Sequence, residues 1–132
     1  MITKSYNDIT IEEFYNIFFQ LFNVLQTDTN KLTKLQTKLL VEFLLLDDQV
    51  YKFTRFGYQG KRAVQQSYKA KYNKNMSLQR LHMFVILLKK RGIIYEDSDR
   101  VKYLTKGLRD VLDKAITSTD PVGFIFKMKI LK

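Results

Sequence analysis

Apolar positions along this chain fall into helically spaced runs and short alternating ones, with capping residues at most of the boundaries. The first helical run begins behind Thr10. Thr10 and Glu13 have the spacing of a capping box, and Ile9 and Phe14 that of a hydrophobic staple, which predicts a helix over 11–26. Its apolar residues include Ile11, Phe14, Phe18, Phe19, Phe22 and Leu25 and cover more than one face, so it needs cover on several sides. A second chain is expected to supply part of that cover. Thr33 and Gln36 form another capping box ahead of Leu35, Leu39, Leu40, Phe43 and Leu44, predicting a helix to about residue 46 that Asp47 and Asp48 end. Residues 50–56 are rich in aromatics and bounded by Gly57, and read as a short strand. Val64, Tyr68 and Tyr72 at four-residue spacing predict a helix over 61–72.

The clearest segment follows. Ser77 is a cap, Met76 and Leu81 can staple around it, and the helix runs to 91. Lys89, Lys90 and Arg91 meet the negative end of its dipole, and Gly92 supplies a left-handed terminus. Residues 93–96 and 100–104 around Asp97, Ser98 and Asp99 predict a β-hairpin. Thr105 caps a last helix to about 116 with Leu108, Val111 and Leu112 inward, and Pro121 precedes a terminal strand over 122–131. No repeat or linker divides the chain. The expectation is one α+β, mostly helical domain over 1–132: an N-terminal interface helix in 1–31, a core in 32–115 and a C-terminal strand extension in 116–132.

Helix, strand, helix, helix, hairpin is the element order of a winged helix-turn-helix. Leu87, Leu88, Lys89, Lys90, Arg91, Gly92, Ile93 and Ile94 resemble the junction between recognition helix and wing in MarR-type regulators. Tyr103, Leu104, Thr105, Lys106, Gly107 and Leu108 resemble the step that leaves the wing in those proteins, with Gly107 one position early. Leu32, Thr33, Lys34, Leu35 and Gln36 resemble the opening of their first helix-turn-helix helix. The resemblance covers about 32–115 and implies a winged-helix fold. The terminal strand departs from it, because MarR-type chains usually finish with a dimerising helix.

Charge sharpens this picture. The net charge is +10, and residues 49–95 contain eleven basic residues and no acidic one. The rest of the chain holds twelve basic residues against all thirteen acidic ones, so the excess positive charge belongs to one central block. Such a block attracts polyanions. Without cysteine, disulfides and thiolate metal sites are excluded. The single histidine, His82, excludes histidine-cluster metal sites and conventional serine or cysteine triads. Gly57 and Gly60 are too sparse for a phosphate loop, and Glu12–Glu13 and Asp47–Asp48 stand at helix ends where capping explains them. The reading is therefore non-catalytic, without metal or cofactor. No apolar run reaches membrane length and no apolar secretory core follows Met1, so a cytoplasmic setting is expected.

Ser77, Gln79, Arg80 and His82, at the start of the presented helix, are the candidates for contacts with base edges of double-stranded DNA. Lys61, Arg62, Lys69, Lys71, Lys74, Arg100 and Lys102 are the phosphate candidates, although Asp97 and Asp99 would repel a backbone at the wing tip. Tyr51, Phe53, Phe56, Tyr58, Tyr68 and Tyr72 alternate with basic residues and suit either base stacking or core packing. Phe14, Phe18, Phe22, Met83 and Ile86 are the oligomer-interface candidates. Two functions follow. One is a DNA-binding winged helix, a homo-oligomeric transcriptional regulator. The other is a structural or adaptor protein, for example a phage virion component, using the same frame for protein contacts. Met83, Ile86 and Leu87 in the middle of the presented helix support the second, while the element order and the confined positive charge make the first the preferred reading.

Overall fold

The computed structural model describes residues 10–117, with side chains to Lys114. Helix α1 (Ile11–Val24) starts where the Thr10 hydroxyl accepts the Glu13 amide at 3.1 Å. The proposed staple partner Ile9 lies outside the described residues. Phe14, Phe18 and Phe19 are buried as α1 packs on α2. Phe14 and Phe18 are therefore corrected out of the oligomer-interface candidates, being interior to the chain itself, and Phe22, half-buried, stacks on Phe18 at 6.5 Å. The connection after α1 holds a 3-10 turn (Asp28–Asn30) and is fixed by Asn23, whose side chain donates to the Leu32 carbonyl and accepts the Leu32 amide, both at 2.8 Å.

Both halves of the Thr33–Gln36 capping box form, opening α2 (Lys34–Leu44). This helix is buried from Leu39 to Leu44 because α1 and α4 (Tyr58–Tyr72) both pack against it. Its one buried carboxylate, Glu42, accepts from Lys71 of α4 at 2.7 Å, and Lys71 also pairs with Glu12 of α1. One ammonium thus ties three helices together.

The strand expected over residues 50–56 is absent. Asp47 accepts the amides of Gln49 and Val50, which opens a four-residue helix, α3 (Asp48–Tyr51), and turns follow it. Arg55 then folds inward, donating to the carbonyls of Phe43 and Leu46 at 2.8 Å and pairing with Asp48. With Arg55 closing the C-terminal end of α2 and Phe56 stacked on Phe43 at 5.2 Å, the segment packs without a ladder partner.

Helix α4 (Tyr58–Tyr72) ends at left-handed Asn73, and α5 (Leu78–Lys90) begins at Ser77, whose hydroxyl accepts the Arg80 amide at 3.1 Å. Leu81, Phe84, Val85 and Leu88 face the core. Gly92 (φ 71°) reverses the chain into β1 (Ile94–Glu96), which pairs antiparallel with β2 (Lys102–Leu104), Tyr95 opposite Tyr103. Thr105 precedes α6 (Lys106–Thr117), and its hydroxyl donates to the Gly92 carbonyl, so it fastens the hairpin's base to the end of α5. The two strands form the sheet among the described residues, and the architecture is α+β and mostly helical. The expected strand over 122–131 lies outside the described residues.

Candidate nucleic-acid interface

Helices α4 and α5 pack against each other across the turn 73–77, and α5 leaves one face outward. Gln79, Arg80, His82, Met83 and Ile86 are exposed on it, Met83 at 57% and Ile86 at 40%. Three of the four base-contact candidates are thus exposed, Gln79 and Arg80 without a side-chain partner among the described residues and His82 with its Nδ1 engaged by Lys61. Ser77 is also exposed, but its oxygen is occupied in capping.

The phosphate candidates divide. Lys61, Arg62, Lys69 and Lys74 make no ion pair among the described residues, nor does the base-contact candidate Arg80, and Arg62, Lys69, Lys74 and Arg80 are exposed. Lys61 is half-buried and donates to Nδ1 of His82 at 3.2 Å. Burial and then the neighbouring Lys102 hold its ammonium below the ordinary lysine range. Lys71 is corrected out of the set, because Glu12 and Glu42 hold it; burial disfavours its charge, yet their hydrogen bonds raise it above the ordinary range. Lys102 pairs with Glu96 at 3.4 Å, and Lys89 reaches the same carboxylate at 3.6 Å. Arg91 spends its guanidinium on the carbonyls of Asn30 and Lys31. Arg100 is exposed at the hairpin tip in a left-handed conformation (φ 63°). The Asp97 carboxylate beside it turns inward to accept the Asp99 and Val101 amides at 2.9 Å.

The aromatic candidates separate as well. Phe56 and Tyr68 are core residues, whereas Phe53 and Tyr58 are 60% and 67% exposed. A groove between α2 and α5 is lined by Leu35, Leu39, Met83 and Leu87, with Gln79 and Arg80 on its polar side. A second cleft, of about 450 Å³, opens between α3 and the hairpin. Its lining residues Lys52, Tyr95, Tyr103, Lys106 and Arg109 escaped the sequence reading as a group. No local spacing joins residues 48–56 to 95–109; only the hairpin's return brings them together.

Among the described residues no cluster of three or more histidine, cysteine or acidic side chains could hold a metal, and no helix is long and apolar enough to cross a membrane. Comparison with protein-family models, curated proteins and solved structures finds no match.

Proposed function

We propose that this chain is a non-catalytic winged-helix protein that binds double-stranded DNA, in the manner of a transcriptional regulator. In this reading α4 and α5 are the helix-turn-helix, α5 enters the major groove, and β1–β2 is the wing. The observation that carries it is electrostatic. Lys61, Arg62, Lys69, Lys74 and Arg80 stand on α4, the turn and the start of α5 with no ion pair among the described residues. Cations left without carboxylates beside an outward helix suit phosphate contact, and Gln79, Arg80 and His82 carry the donors that read base edges.

The test is fluorescence anisotropy with labelled duplexes across a salt series. Affinity falls steeply with salt while a preference among sequences persists. Lys69→Ala lowers the salt slope by about 1 for all duplexes, and Arg80→Ala relaxes preference at about one base position. Weak binding with no sequence preference, unmoved by either substitution, would end this reading.

A second reading has its own support. Met83 and Ile86 are aliphatic and exposed midway along α5, where a DNA reader ordinarily carries polar side chains. They favour an adaptor or structural component, such as a virion protein, that docks another protein on α5.

A further inference from the structure

The cleft between α3 and the hairpin lies apart from the α4–α5 face, and its chemistry differs. Leu44, Phe56 and Leu104 are its buried apolar lining, while Tyr95 and Tyr103, paired across the two strands with ring centroids 5.7 Å apart, supply aromatic surface. Its volume, about 450 Å³, is in the range of small-molecule sites. Five cations line it, Lys52, Arg55, Lys102, Lys106 and Arg109, against the single carboxylate of Asp48. Arg55 is committed to Asp48 and to backbone carbonyls, and Arg109 lies 3.8 Å from Asp48 and 3.6 Å from Asp113, so it meets two carboxylates that are already shared or exposed on its own helix. Lys102 is balanced by Glu96. Lys52 and Lys106, both exposed, make no ion pair among the described residues. An aromatic-walled cleft with cations contributed by the turn after α3 and by α6 fits a planar body carrying more than one negative charge.

We propose that this cleft binds a nucleoside 5′-phosphate, its base against Tyr95 and Tyr103 and its phosphate between Lys52, Lys106 and Arg109. The base is held by stacking, which tolerates any base because each presents a π face. A plain anion leaves the apolar lining uncovered, and a neutral aromatic leaves the lysines unanswered. Two sources share this chemistry, a free nucleotide and the 5′-phosphorylated end of a single strand. The site shares the hairpin with the wing of the duplex reading but no residue of the α4–α5 face, so substitutions on that face separate the two.

Isothermal titration calorimetry on the full chain tests it, with adenosine 5′-monophosphate, adenosine, ribose 5-phosphate and 5′-phosphorylated hexadeoxyadenylate as probes. The nucleotide binds about tenfold or more tighter than adenosine or ribose 5-phosphate, because each of these lacks one of the two contacts. Lys52→Gln with Lys106→Gln weakens it about tenfold, and Tyr103→Leu about fivefold or more. Tyr95→Leu, at a more exposed position, repeats the second measurement if Tyr103→Leu loosens the hairpin. Arg80→Gln, on the duplex-binding face, leaves the constant unchanged. A hexamer bound much more tightly than the mononucleotide, and weakened by removing its phosphate, assigns the site to strand ends; a mononucleotide bound as tightly or more so assigns it to free nucleotides. Equal binding of all four probes, no binding, or an equal loss from Arg80→Gln would overturn the proposal. Loss of duplex binding with nucleotide binding intact counts only against the function proposed for α4–α5.

Discussion

Gly60 shows how a single atom decides the path of this chain. Its amide donates to the Thr54 carbonyl at 3.0 Å as α4 starts over the Arg55 turn. A β-carbon there would stand far inside contact distance of the Arg55 carbonyl and 2.7 Å from the Thr54 oxygen. Backbone cannot retreat without pulling Arg55 from the end of α2. Gly60→Ala should cost about 3 kcal/mol or more in urea unfolding, in the range of strongly destabilising substitutions. Gly107→Ala, where nothing lies within 4 Å, should change stability by less than about 0.5 kcal/mol. Lys71 offers a different case. Removing it by Lys71→Met leaves Glu42, 3% exposed, without its cation. A fully buried pair would lose about 3–5 kcal/mol; because the Lys71 side chain is 35% exposed, about 2 kcal/mol is expected after allowing for solvent. Lys71→Arg, keeping the charge, should recover part of that loss. Nothing in the sequence announced either role: Gly60 read as a sparse glycine and Lys71 as a free surface cation, because their partners are contributed from other elements.

At the scale of elements, the caps were legible and the pairings were not. Thr33, Ser77 and Gly92 act locally, through amides one turn away or a single backbone angle, so their spacing alone placed α2, α5 and the hairpin. Residues 50–56 carry strand-like composition, but Asp47 supplies a helix start and Arg55 an inward anchor, and among the described residues β1 and β2 pair only with each other. Tertiary hydrogen bonds overrode the local preference. The hairpin adds an electrostatic device of its own. Glu96 lies opposite Lys102 in register and within reach of Lys89, and hydrogen bonding from Lys102 first, then the charge of Lys89, holds its carboxyl below the ordinary range. A carboxyl with a lowered folded-state pKa adds stability above its unfolded value, and that contribution disappears as pH falls through the folded one. The stability difference between the wild type and Glu96→Gln should therefore be constant near neutrality and shrink as pH drops below about 4.5. Thermal unfolding followed across that range checks it; a difference independent of pH would show that the pairs contribute nothing.

Across the whole molecule, the central question is how a chain of +10 distributes its charge. The acid-free stretch of sequence is only partly acid-free in space: Glu12, Glu42, Asp48 and Glu96, all outside residues 49–95 or just beyond them, neutralise Lys71, Arg55 and Lys89. Of what survives, Lys52 lines the cleft beside the hairpin and Lys90 ends α5, while Lys61, Arg62, Lys69, Lys74 and Arg80 on α4, the following turn and early α5 flank a helix face whose centre is Met83 and Ile86. The two functional readings divide on that centre. If DNA is the partner, the two aliphatics meet a groove in which thymine methyls are their best contact, and replacing them changes affinity little. If a protein is the partner, they are the desolvated anchor, and their loss dissolves the contact. Met83→Ser with Ile86→Ser should therefore leave the mass measured by light scattering unchanged and alter duplex affinity less than about tenfold, the change of about 1.4 kcal/mol expected from modest apolar contact. Neither position belongs to the buried core, so the double substitution removes little packing. A drop in assembly mass with duplex binding intact would transfer the centre of α5 from nucleic acid to a protein partner, and would leave the cations of α4 to hold the duplex.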